Sequence, residues 1–298
     1  DKITLTVGAE AALLATLDAS AMTYDANLTT GAASSLAVSL GTGNDTINFG
    51  TTLSSADSVT DAGNRTATTG DRLTATISGL STVTGTGNLN ISGVENIDLI
   101  TATSASSISA ANITGASVIN AAGTDGGDNT TALTITDLPT GTNVGVGNAA
   151  AAANDIYKGT LTVSLADETG DDDNITFLLG DTGTDDDVDA TLVTNATVET
   201  VTITANADLT EAGSNEADLN VAKVKATTLV INGGVGIKHN LNVGSLINKS
   251  VSGLLDGLDR GNITFQNVCF TNKTHSSGRT IKTFGGAGSS IDIIACNY

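Results

Sequence analysis

Between residues 165 and 205 the chain reads LADETGDDDNITFLLGDTGTDDDVDATLVTNATVETVTITA. Two aspartate runs, Asp171, Asp172, Asp173 and then Asp185, Asp186, Asp187, Asp189, lie between short strand-like segments with glycines at the bends. Carboxylates this close repel one another unless they stay in water or share a multivalent cation. Calcium takes about six to eight oxygens, and carboxylates beside carbonyl-rich turns supply that donor type. Asp45, in the glycine turn GTGNDTINFG, adds one more such carboxylate. These aspartates are the candidate metal ligands, and Ca²⁺ is the expected cofactor. The plain alternative is a solvated acidic surface that serves solubility.

Other chemistries find little support. His239 and His275 are the only histidines, and neither belongs to a zinc motif. No nucleophile elbow and no phosphate-binding loop occurs. Sugar clefts are commonly floored by aromatic side chains, and here tryptophan is absent and aromatics make up 3% of residues. The chain is therefore not expected to be an enzyme.

Charge is strongly asymmetric. The chain carries a net −20, but residues 1–222 hold 4 basic and 29 acidic side chains, and residues 223–298 hold 8 basic and 3 acidic. An acidic body repels nucleic acid, so no nucleic-acid partner is expected. Opposite charge at the two ends favours head-to-tail association of identical chains, or attraction within one chain.

Both cysteines, Cys269 and Cys296, fall in the basic segment. A bridge between them would be worth about 3 kcal/mol in the chain-entropy model and suits an exported chain. Two free thiols, or a covalent link between subunits, are the alternatives. Asp1 opens directly onto KITLTVG with no leader pattern, as expected of a processed, extracellular protein. No apolar run reaches the roughly 20 residues of a membrane span. Asn-x-Ser/Thr sequons recur, and Asn44, Asn112, Asn174 and Asn195 are candidate glycosylation sites.

The elements that must position these residues are short strands. DKITLTVG alternates with a period of two, and LAVSL, INF, RLTATI, NIDLITA, LTITDL, LTVSL and VTITA follow, each bounded by glycine or Asn/Asp turns. With 34 Gly, 1 Pro and few large side chains, such a chain packs best in thin, repeatedly stacked layers. The predicted fold is all-β, a parallel β-solenoid, with tandem β-sandwiches as the alternative. Residues 1–40 are read as a strand and a short helix or turn over residues 8–20. Residues 41–222 are read as an acidic body of two related modules, about 41–140 and 156–222, joined by a flexible connection at 141–155. Residues 223–298 form a basic β segment. The modules are suggested by two likenesses: GTGNDTINFG with TGDDDNITFLLG, and GVENIDLITA with ATVETVTITA.

The succession GTGNDTINFG, DSVTDAGNRTATTGDRLTATISG and GVENIDLITATSA resembles bacterial S-layer and related RTX-type cell-surface proteins. The resemblance covers residues 40–122 and, more faintly, 169–208. It implies an exported, Ca²⁺-dependent, self-assembling β-solenoid. In the nonapeptide repeat of such proteins, Gly41, Gly43, Asp45 and Ile47 fit, Leu40 stands where the first glycine belongs, and the repeat is not reiterated in tandem. The function expected is an extracellular structural subunit that forms a surface layer or filament, its partner being further copies of itself. The alternative is an adhesin or phage-fibre-like module that binds a cell-surface glycan.

Overall fold

The structure is a computed structural model. It describes residues 3–8, 13–31, 35–61, 63, 70–123, 130–147, 157–170, 173–180, 190–194, 198–205, 217–218, 220–224, 226–232, 241–242, 262–266 and 291–294. In chain order the first strands are β1 (Ile3–Val7), β2 (Thr16–Asp18), β3 (Ala26–Thr30), β4 (Ala37–Leu40), β5 (Thr46–Asn48), β6 (Ser58–Asp61), β7 (Arg72–Ile77) and β8 (Asn90–Ser92). Next come β9 (Asn96–Thr101), β10 (Ser106–Ser109), β11 (Ile113–Thr114), β12 (Val118–Ala122), β13 (Leu133–Leu138), β14 (Asn143–Val146), β15 (Thr160–Leu165) and β16 (Asn174–Leu179). The last are β17 (Thr191–Thr194), β18 (Val198–Ala205), β19 (Ala217–Asp218), β20 (Asn220–Lys223), β21 (Ala226–Asn232), β22 (Leu241–Asn242), β23 (Asn262–Gln266) and β24 (Ile291–Ile294).

The chain is all-β, and its strands stack in parallel as a β-solenoid. One sheet of 12 strands runs through it in the order β1-β3-β5-β7-β9-β12-β14-β16-β18-β21-β23-β24. The opposing face is shared by two sheets of 5 strands, first β2-β4-β6-β8-β11 and then β10-β13-β15-β17-β20. The handover falls between β9 and β12, where one coil contributes both β10 and β11.

Period-two alternation explains this stacking. Each strand of the long sheet turns one apolar face inward, and parallel register places like on like. One inward row runs Leu28, Ile47, Leu73, Ile97, Ile119, Val144, Phe177, Ile203, Ile231 in register from coil to coil. Every member of that row is at most 2% exposed. Across the core, Val38, Val59, Ile91 and Ile113 form a matching row, continued further along by Ile108, Ile135 and Val163.

Two local readings need correction. Leu13 lies in a turn and residues 16–18 form β2, paired with β4. The described part of the stretch expected to be helical therefore holds a strand. At residues 16–18 helix propensity is overridden because Leu17 sits in register with Val38 and packs on the core. Within the stretch read as a flexible connection, residues 143–146 form β14, with Val144 and Val146 fully buried. The long sheet passes through without a break. No helix among the described residues is long and apolar enough to cross a membrane.

Candidate metal centre

At the corner where the chain enters the long sheet, the residue just before the strand shares the inward parity of the core. In successive coils Asp45, Asp71 and Glu95 fill that place, ahead of Ile47, Leu73 and Ile97. Backbone N–H groups at such a corner need acceptors, because a buried donor left unpaired is costly. Each carboxylate caps the preceding coil. Ala26 N–H donates to Asp45 Oδ1 at 2.7 Å, Asp45 N–H to Asp71 Oδ1 at 2.5 Å, and Asp71 N–H to Glu95 Oε2 at 2.7 Å.

The same device recurs where Asp173 N–H donates to Glu199 Oε2 at 2.8 Å. Glu95 and Glu199, which the second likeness brings together, thus share this local role. The register is nevertheless offset by two residues, since the row through Ile47 continues onto Phe177 and not onto Ile175.

A third carboxylate arrives from the opposing face. Asp61 ends β6, and its Oδ2 accepts the Gly63 N–H at 2.8 Å. Asp45, Asp61 and Asp71 each place a carboxylate oxygen within 4.8 Å of the other two. Their exposures are 1%, 8% and 0%, so water does not screen them. Among the described residues no N–H or O–H donor reaches Asp61 Oδ1 or Asp71 Oδ2, whereas both oxygens of Asp45 accept backbone donors, from Ala26 and Gly41. Arg72, the next residue along, turns to the other side of the strand and pairs with Asp98.

Glycines keep the corner open. A Cβ on Gly93, which has φ +84°, would lie 2.5 Å from the Asp61 carbonyl oxygen, and one on Gly63 would lie 2.8 Å from that of Gly41. Burial is the main force on the acids. It pushes Asp71 up to about 7, helped by the neighbouring Asp61 charge, and raises Asp61 as well. Since the folded value of Asp71 exceeds that of an unfolded carboxyl, its ionisation works progressively against the fold as pH rises from about 4 to about 7. Three buried carboxylates with too few donors have two outlets: a shared proton or an enclosed cation.

The expected ligands are placed unevenly. Asp45 is in the cluster. Asp173 is partly buried on the coil of β16, where its Oδ2 accepts the Gly170 N–H at 3.2 Å, and β7, β9, β12 and β14 separate it from Asp45. Asp171, Asp172, Asp185, Asp186, Asp187 and Asp189 lie outside the described residues, as do Cys269, Cys296 and Asn195. Asn112 and Asn174 are exposed and Asn44 is partly buried. Asp61 and Asp71 went unselected in the sequence reading, although the turns TDAG and TGDR carry them. Comparison of the chain with family models, with curated proteins and with solved structures finds no match.

Proposed function

We propose that this protein is an extracellular structural subunit that assembles with copies of itself into a surface layer or filament, stabilised by Ca²⁺. The observation that carries this reading is the continuous parallel ladder, whose stacked rows a further coil could prolong beyond β1. At β1, Ile3 is 51% and Leu5 41% exposed, although Leu5 is in register with the buried Leu28 and continues the core row. Strand addition by a second copy would cover this edge and extend the row. The acidic body and basic segment supply the charge complementarity for head-to-tail contact.

The test uses the free side of β1. Ile3 N–H donates to Asp25 O, so in the alternating parallel ladder Thr4 and Thr6 direct their N–H groups outward. A Thr4→Pro/Thr6→Pro variant removes those donors while sparing the pairing with β3. It should stay folded by circular dichroism and no longer pellet as polymer. Undiminished polymer would count against strand addition.

A further inference from the structure

We propose that Asp45, Asp61 and Asp71 form a buried divalent-cation site, of the Ca²⁺ type, that fastens the two faces of the solenoid together at one corner. The inference deepens the calcium element of the proposed function and is independent of how copies assemble. It also assigns a site away from the consecutive aspartates of residues 171–189.

Donor chemistry comes first. All three groups are carboxylates, and among the described residues no histidine or cysteine joins the cluster, so a hard cation is selected over zinc or copper. Size comes next. Oxygens on opposite sides of a Ca²⁺ ion lie about 4.6–5.2 Å apart, from metal–oxygen distances of about 2.3–2.6 Å, and the three oxygens here fall within 4.8 Å of one another. Mg²⁺ holds its ligands closer and keeps several waters, which suits this enclosed corner less well.

Electrostatics adds an independent reason. Asp71 is 0% exposed and Asp61 8%, yet among the described residues no N–H or O–H donor reaches Asp71 Oδ2 or Asp61 Oδ1. Their other oxygens are already committed, to the Asp45 and Gly63 N–H groups respectively. Each residue is thus fixed by one oxygen and offers the other. Four backbone donors, from Ala26, Gly41, Asp45 and Gly63, hold the triad in place without neutralising its charge. A bound dication would do so.

The position gives the site a mechanical role. Asp45 and Asp71 precede consecutive strands of the long sheet, and Asp61 closes a strand of the opposing sheet. An ion held by all three would therefore tie two coils and both faces at a single point.

The experiment measures Ca²⁺ binding and thermal unfolding of the full chain, in Ca²⁺ and in EDTA, for wild type, Asp71→Asn and Asp61→Asn. Saturating Ca²⁺ should raise the wild-type melting temperature by roughly 5 °C or more, with Mg²⁺ less effective. Asp71→Asn keeps the oxygen that caps Asp45 but removes a charge. It should bind one fewer Ca²⁺ by calorimetry, lose most of the Ca²⁺-dependent rise, and melt higher than wild type in EDTA. Asp61→Asn should behave alike, and circular dichroism reports whether each variant is folded.

Wild-type Ca²⁺ stoichiometry and melting shift retained in both folded variants would overturn the site. So would a wild type indifferent to Ca²⁺ whose two variants melt higher, since the acids would then be sharing a proton. Loss of the site with polymers still visible by microscopy would leave the assembly reading standing.

Discussion

Replacing Asp98 with alanine is expected to destabilise the fold by about 3–5 kcal/mol, near the lower end of that range, because it strands two partners at once. Asp98 is fully buried, and its row on the outer side of the long sheet includes Thr74 and Asn120. Its Oδ1 accepts Asn120 Nδ2–H at 2.6 Å, and its Oδ2 accepts Arg72 Nη1–H. Burial raises the Asp98 carboxyl, and the Arg72 guanidinium opposes that rise. Alanine leaves Asn120, itself 1% exposed, without this acceptor. Arg72 can still reach water, its side chain being 24% exposed, and this places the cost at the lower end. Asp98→Asn keeps an acceptor for Asn120 and should cost less. Urea unfolding of the two variants beside wild type measures the difference, and equal midpoints for all three would show that the pair carries no stability.

Gly93→Ala is the second large effect, expected at about 2–5 kcal/mol. The left-handed backbone conformation costs roughly 1–2 kcal/mol for an L side chain. The added methyl also meets the Asp61 carbonyl oxygen at 2.5 Å, a backbone atom that moves only if β6 moves. Overpacking of that kind typically costs about 1–3 kcal/mol more. Because the displaced residue is Asp61, the variant should also bind Ca²⁺ more weakly. Melting and Ca²⁺ titration of the one variant check both parts, and a wild-type melting temperature would show that the turn accommodates a side chain freely.

Much of the architecture can be read from local alternation. Leu73, Ala75 and Ile77 turn inward from one strand, as Ile3, Leu5 and Val7 would if another coil covered them, and period two is visible in both segments. The coil length is not visible. Register partners lie as little as 19 residues apart, from Asn27 to Thr46, and as much as 34, from Thr228 to Asn262. No constant period therefore exists to be found.

β14 was hidden for a different reason. Its glycine and its alanine-rich surroundings look like a linker, and only stacking between Ile119 and Phe177 makes Val144 a core residue. The same logic applies to the acids. Asp45 stood out beside its glycines, while consecutive aspartates drew notice because their repulsion is plain in one dimension. The buried triad joins residues 16 and 10 positions apart along the chain, brought together only by the winding of the coil.

Negative-stain electron microscopy of the full chain, prepared side by side in Ca²⁺ and in EDTA, tests the central claim most directly. Regular sheets or fibres in Ca²⁺ that loosen or vanish in EDTA are the predicted result. Dispersed single particles under both conditions would contradict it and would favour an adhesin-like module that acts without a lattice.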